Sequence, residues 1–120
     1  MSDTASDAAP FTPVLTIFML VKSSRAWLDL GDEARGAALR QHVVPLLQRY
    51  RADVRARAFD VEAYAARVTD VWVWDVREHG AYQALIDDLR NTPFWDGYFE
   101  ILEILPGVAN TGLPGVRAAA

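Results

Sequence analysis

The 120-residue sequence predicts one α+β domain of the ferredoxin-like type, with a four-stranded antiparallel sheet and the element order β-α-β-β-α-β. Two observations support this fold class. Four segments are rich in β-branched and aromatic residues, and two longer segments carry apolar residues at helical spacing. We expect a disordered leader over residues 1–12, a single domain over 13–108 and a flexible tail over 109–120.

The first half of the chain predicts a strand followed by a helix. The apolar run VLTIFMLV at 14–21 predicts the first strand, although its periodicity also allows a buried helix. Serines 23 and 24 can cap one helical turn over 26–30. A longer amphipathic helix begins at Asp32, and Pro45 is expected to kink or break it.

The second half predicts three strands and a helix. Segments 54–65 and 68–76 alternate as strands and should form an antiparallel hairpin. A helix follows over 80–90, and Thr92 is the expected cap of a second short helix that begins at Pro93. Residues 101–105 form the last strand.

The predicted helices can cover only one face of the sheet. We expect Phe18, Leu20, Trp72 and Trp74 to lie on the other face, where they would form a large apolar patch. Two such faces can bury each other in a dimeric α+β barrel. A homodimer with an aromatic-lined cavity is therefore the expected assembly.

The composition excludes several functions. A net charge of −4 and the lack of a long basic run argue against nucleic-acid binding. The absence of cysteine excludes disulfides and thiolate metal sites. No apolar run reaches the roughly 20 residues that span a bilayer, and the polar, acidic start is unlike a signal peptide. We expect a cytoplasmic protein without a membrane partner.

The motifs VLTIFMLVK, ARVTDVWVWD and NTPFWDGYFEILEI, which lie between residues 14 and 106, resemble the darcynin family of small bacterial proteins. That family is similar to the dimeric α+β barrel proteins, so the resemblance implies this fold. The wider group includes cofactor-free monooxygenases, isomerases and cyclases, together with haem-degrading and haem-peroxidase branches. In the haem-degrading branch a histidine follows a Ser-x-x-Phe motif and ligates iron. The matching position here is Phe99, which argues against haem ligation at that position.

The candidate catalytic residues come from the second predicted strand and the turn after it. Asp60, Glu62 and Tyr64 share one strand face and should border the aromatic cavity. A carboxylate beside apolar rings has a raised pKa, which suits general acid or base catalysis. Tyr64 could donate a hydrogen bond and Arg67 could orient an anionic group. The alternative is a half-solvated edge in which Arg67 pairs with Asp70.

These residues predict a cofactor-independent enzyme, with no metal, that acts on an apolar or aromatic small molecule. The resemblance to the barrel group implies a role in natural-product biosynthesis. Acid–base chemistry of the isomerase, cyclase, lyase or monooxygenase type is expected. One alternative is a non-catalytic ligand-binding or structural dimer; another is a haem-binding barrel that uses His42 or His79. The predicted substrate-binding residues are Phe18, Lys22, Asp70, Trp72, Trp74, Phe94, Trp95 and Phe99.

Overall fold

The structure, a computed structural model, describes residues 10–110, 112 and 114. Four antiparallel strands form one sheet in the order β2-β3-β1-β4. The strands are β1 (Leu15–Ser23), β2 (Val54–Asp60), β3 (Asp70–Val76) and β4 (Phe99–Gly107). The helices are α1 (Arg25–Leu28), α2 (Asp32–Ala38), α3 (Val44–Arg49) and α4 (His79–Arg90), and a π-helical turn (Leu39–Val43) joins α2 to α3.

The predicted ferredoxin-like class is confirmed, and the predicted element order matches the structure. The predicted leader and tail fall mostly outside the described residues. Within the described part of the chain, no helix is long and apolar enough to cross a membrane.

Strand β1 lies at the centre of the core because it pairs with both β3 and β4 and packs one apolar face against the helices. Its residues Ile17, Met19 and Val21 point toward the helices and are buried. Leu85 and Leu89 of α4 belong to the same buried cluster. The α4 stripe predicted from the sequence therefore packs on the sheet as expected.

The predicted location of Trp72 and Trp74 is wrong. In the antiparallel register Trp72 is opposite Met19 and Trp74 is opposite Ile17, so both rings share the helix-covered face. Alternation separates the two faces of one strand, but only the register between strands determines which face is covered. The opposite side of the sheet, here called the open face, carries Phe18 as predicted.

The second strand ends earlier than its alternation predicts. An Asp60 carboxylate oxygen accepts a hydrogen bond from the backbone N–H of Glu62 at 2.9 Å, and the Val61 carbonyl accepts from Tyr64 and Ala65. These turn contacts compete with continued strand pairing. Strands β2 and β3 do pair antiparallel, but residues 61–69 make a longer connection than expected.

The predicted break near Pro45 is present. Because proline has no N–H and its ring crowds the carbonyl four residues earlier, an α-helix cannot run through this position undisturbed. The π turn provides the adjustment: the Val44 N–H donates to the carbonyl of Leu39, five residues back. The chain then continues as α3, with Pro45 in its first turn.

The predicted short helix at Pro93 is wrong, because residues 92–98 form a compact turn. The Thr92 hydroxyl accepts a hydrogen bond from the Phe94 N–H at 3.2 Å, as a cap would. However, Asp96 has a φ of 57°, and the Tyr98 N–H donates to the Pro93 carbonyl at 2.7 Å. A residue in the left-handed conformation and this tight backbone hydrogen bond prevent a right-handed helix from continuing.

Replacing Gly97 by alanine should destabilise the protein by roughly 1–3 kcal/mol, the usual cost of overpacking. A Cβ atom at Gly97 would overlap the backbone carbonyl oxygen of Pro93, which cannot move without opening the turn. Urea unfolding monitored by circular dichroism measures the change. Gly107→Ala is the control, since its Cβ would meet the nearest atom, the Thr16 carbonyl oxygen, at an ordinary 3.8 Å. Equal stabilities for the two variants would contradict this reading.

Candidate functional site

A cleft with a cavity volume of about 380 Å³ lies between the helices and the sheet. One wall is formed by Leu39, Val43 and Leu47 from the π turn and α3. The facing wall includes Ala56 and Ala58 of the edge strand β2, which are exposed. Small residues on an uncovered edge leave a space of the size that ligand pockets have.

Aromatic rings close one end of the cleft. The Ser24 hydroxyl caps α1 by accepting from the Trp27 N–H at 3.4 Å, and this cap holds Trp27 in place. The Trp27 ring lies 5.4 Å from the ring of Phe94 and 5.2 Å from that of Phe99. Trp72 meets Phe99 edge-to-face at 5.1 Å. These spacings are typical of favourable aromatic pairs, so this end of the cleft is preformed.

Trp74 lies farther along β3 and also lines the cleft. Its indole Nε1 is buried and has no hydrogen-bond partner in the described part of the chain. The Tyr82 ring packs against it edge-to-face at 6.4 Å, and burial raises the pKa of the Tyr82 hydroxyl. This part of the cleft is therefore mainly apolar, with one buried N–H donor that no described residue satisfies.

His42 lies in the π turn, between the cleft-lining residues Leu39 and Val43. Its half-buried ring is 6.3 Å from the ring of Phe94, at the border of the cleft. Among the described residues, no side chain or backbone group forms a hydrogen bond with either ring nitrogen of His42. Both nitrogens are therefore available to a ligand. The described residues contain no cluster of three or more metal-binding side chains.

Two carboxylates mark the end of the cleft nearest the aromatic cluster. Asp70 lines the cleft and is directly opposite Asp60 in the β2–β3 register. Desolvation by burial raises the pKa of the Asp70 carboxyl; a hydrogen bond from Thr69 opposes this shift, and the charge of Asp60 adds to it. We call this pair of carboxylates the acidic end of the cleft.

Arg57 also lines the cleft, but its guanidinium is engaged elsewhere. The Arg57 Nε lies 3.2 Å from an Asp75 carboxylate oxygen, and the Thr16 hydroxyl donates to the same carboxylate at 3.1 Å. Both partners belong to the open face. Arg57 therefore lines the cleft without its charged group, and its positive charge lies on the other side of the sheet.

The residues predicted to be catalytic are not brought together at the cleft. Glu62 and Tyr64 lie in the turn after β2 and are exposed, Tyr64 by 94%. Arg67 is also exposed and pairs with Glu103 at 3.8 Å instead of with Asp70. Of the four, Asp60 alone lies beside a cleft residue, because β2 ends there.

The predicted substrate-binding residues lie in three different places. Five of them line the cleft: Asp70, Trp72, Trp74, Phe94 and Phe99. Phe18 and Lys22 are exposed on the open face, on the opposite side of the sheet. Trp95 is half-buried outside the cleft, with the Arg90 guanidinium 5.2 Å from its ring.

Sequence reasoning missed Trp27 and the two alanines of β2. The Ser-Ser cap before Trp27 was a usable signal, since it fixes this ring at the start of a helical turn. Ala56 and Ala58 gave no signal, because their role depends on β2 lying at the uncovered edge of the sheet. An edge position follows from strand order, which is not written in any local pattern.

Comparison with known proteins adds a family and a fold. Residues 1–116 match the family described as darcynin, a domain of unknown function. A darcynin homologue from Granulibacter bethesdensis is 53% identical over 113 residues, which cover 90% of this chain and 91% of the homologue.

Solved structures with the same fold are more distant in sequence. A chlorite dismutase variant from Candidatus Nitrospira defluvii has a TM-score of 0.72 at 15% identity, and the match covers 89% of this chain and 47% of that one. A haem-binding protein from Thermus thermophilus has a TM-score of 0.68 at 13% identity, with 82% and 40% covered. A dimeric chlorite dismutase from Nitrobacter winogradskyi has a TM-score of 0.65 at 14% identity, with 78% and 56% covered. The chain thus spans about half the length of these structures.

These findings correct the leading functional prediction. A cofactor-independent acid–base enzyme is wrong, because the fold is shared with chlorite dismutases and a haem-binding protein. The geometry agrees with this correction, since Glu62, Tyr64 and Arg67 lie in solvent, away from the aromatic cleft. The family assignment rests on sequence alone and covers nearly the whole chain. This protein belongs to the darcynin family.

Proposed function

We propose that this protein binds haem in the apolar cleft, with His42 as the iron ligand. The observation that carries the proposal is the state of the His42 imidazole. The ring is half-buried beside the cleft-lining Phe94, and no hydrogen bond from a described residue occupies its nitrogens. A proximal histidine is the ligand that holds haem iron in several classes of haem protein.

The chemistry of the cleft fits a porphyrin ring. Its walls are aliphatic on the helix side, and on the sheet side two alanines and two tryptophans lie beside Arg57 and Asp70. Such walls accept a flat apolar ring and exclude water from its faces. The cleft is open along β2, where Ala56 and Ala58 are exposed, so the haem carboxylates can reach solvent. Bound haem would supply an iron centre whose reactivity depends on the polarity around it.

His79 is the weaker candidate for an iron ligand. It begins α4, is exposed, and lies next to Glu78, whose carboxylate caps the helix through the Gly80 N–H. Neither histidine is among the cleft-lining residues, but His42 lies between Leu39 and Val43, which are, and its ring is 6.3 Å from Phe94. His79 lies in another element, at the start of α4. The similarity of the fold to a haem-binding protein supports haem as the ligand, and the position of His42 supports the site.

We also propose that two copies of the chain pair through their open faces. Phe18 on β1 and Leu105 on β4 are opposite each other in the register and are 42% and 44% exposed. Phe59 on β2 adds a third large exposed side chain, at 49%. Apolar side chains spread over a sheet face favour association. The resembling structures are about twice as long, and a second copy would supply a similar amount of chain.

Titration of the purified protein with hemin tests the proposed function. We expect saturation at one haem per chain and a shifted, sharpened Soret band. Ala58→Phe places a phenyl ring opposite the helix wall, and the variant should lose roughly ten-fold or more in affinity, because a size change of even one methylene in an apolar pocket is worth about ten-fold or more. Ala37→Phe is the control, since Ala37 is exposed on α2 and does not line the cleft. Equal affinities for both variants would exclude the cleft as the haem site.

A further inference from the structure

We propose that Asp70 sets the charge selectivity of the cleft: it disfavours ligands that place an anionic group at the acidic end. The inference deepens the proposed function, because it rests on the cleft being a ligand site. It does not require the ligand to be haem. The chemical class selected is a flat apolar ring system that is neutral, or anionic only at the side remote from Asp70.

The position of Asp70 is fixed by the central part of the sheet. It begins β3 and is opposite Val21 on one side and Asp60 on the other. Because Val21 points toward the helices, Asp70 shares the helix-covered face with Trp72. Its carboxyl is therefore half-buried at the edge of a space whose other walls are apolar. A charge in such a place acts more strongly on a ligand than one in open solvent.

No cation in the described part of the chain neutralises this carboxylate. The two nearest arginines along the strands make other ion pairs: Arg57 with Asp75 and Arg67 with Glu103. Asp60 uses its carboxylate to accept the Glu62 N–H. Asp70 itself makes a hydrogen bond with Thr69, which is not a cation.

Among the described cleft-lining residues, Arg57 is the one cation, and its charge is paired on the open face. The helix wall presents Leu39, Val43 and Leu47, and the aromatic end presents Trp27, Phe94 and Phe99. The titratable and charged groups nearest these walls on the helix side are His42 and Arg35, whose guanidinium stacks 5.3 Å from the Trp27 ring centroid. An anionic substituent placed near Asp70 would therefore meet like charge in a partly desolvated site. For a ring with carboxylates, the favoured orientation directs them toward solvent across β2 and away from Asp70.

Two fluorescent probes of nearly the same shape test this selectivity. N-phenyl-1-naphthylamine is neutral, and 8-anilinonaphthalene-1-sulfonate carries one negative charge on the same ring system. We expect Asp70→Asn to bind the sulfonate about three- to ten-fold more tightly than the wild type does, as expected for one partly screened charge. Its affinity for the neutral probe should stay unchanged. Asp87→Asn is the control for a change in net charge, since Asp87 is exposed on α4 and outside the cleft.

A pH series adds a readout that a purely steric effect of the substitution would not produce. Burial raises the pKa of Asp70, so protonation at falling pH should raise the affinity of the wild type for the sulfonate toward that of Asp70→Asn. Asp60, Arg57 and His42 are present in both proteins, so the difference between them reports on Asp70. If Asp70→Asn does not fold, Asp60→Asn on the exposed strand end removes the neighbouring charge instead.

The outcomes separate the two proposals. The inference is supported if Ala58→Phe blocks binding of both probes and Asp70→Asn tightens binding of the sulfonate only. If Ala58→Phe blocks binding but Asp70→Asn changes the affinity of both probes equally, or of neither, the inference is overturned. The cleft then remains a ligand site. Probe binding that Ala58→Phe does not affect overturns both.

Discussion

Replacing His42 by alanine should abolish the bound-haem spectrum at equimolar haem and lower the affinity by at least roughly 10- to 100-fold. Removal of a mere outer-shell partner of a metal ligand costs about this much, and loss of the ligand itself should cost no less. His42 is half-buried and contributes one ring contact, with Phe94, so its removal should leave the core intact. Absorbance titration with hemin measures the affinity, and thermal unfolding of the free protein checks the fold.

Two further experiments make this prediction specific. His79→Ala should bind haem as the wild type does, because His79 is exposed at the start of α4 and does not line the cleft. Added imidazole should restore the wild-type spectrum to His42→Ala, since it can occupy the space left beside Phe94. A spectrum that depends on His79, or that neither substitution alters, would contradict ligation by His42.

If two copies pair through the open face as proposed, replacing Phe18 by glutamate should leave the protein monomeric. Phe18 is on the central strand β1, and a partner sheet packed on the open face would bury it. A central aromatic residue typically contributes about 2 kcal/mol or more to an interface, and each substitution occurs twice in a symmetric dimer. A buried glutamate without a cation adds a desolvation cost. Sedimentation velocity over a range of protein concentrations measures the effect.

Leu28→Glu is the matched control for this experiment. Leu28 is on α1 and is 47% exposed, close to the exposure of Phe18, but it lies on the helix side of the sheet. Its substitution should leave the sedimentation coefficient unchanged. A wild type that sediments as a monomer at all concentrations would contradict the proposed pairing. So would a dimer that Leu28→Glu disrupts and Phe18→Glu does not.

The fold was predictable because local patterns and chain length agree on it. Strand β1 is apolar on both faces, and the stripe of α4 contains Leu85 and Leu89, which both enter the core. The effect of Pro45 follows from its missing N–H. Each of these features depends on residues close together in the chain, which is the information a single sequence carries most directly.

The site was less predictable because it depends on pairing between distant segments. The sequence predicts that Trp72 and Trp74 bind the ligand, but their side of the sheet depends on the register with Met19 and Ile17. A shift of that register by one residue would exchange the two faces of the strand. Glu62 and Tyr64 continue the alternation of β2, yet the turn formed by the Asp60 carboxylate removes them from the strand. Alternation cannot report where such a turn begins.

The most direct test of haem binding by His42 is a crystal structure of the protein grown with hemin. We expect the iron to be bonded to an imidazole nitrogen of His42. The porphyrin should lie between the wall of Leu39 and Val43 and the wall of Ala56 and Ala58, with its carboxylates turned away from Asp70. Haem bonded to His79, or haem bound on the open face while the cleft stays empty, would contradict the proposed site and ligand.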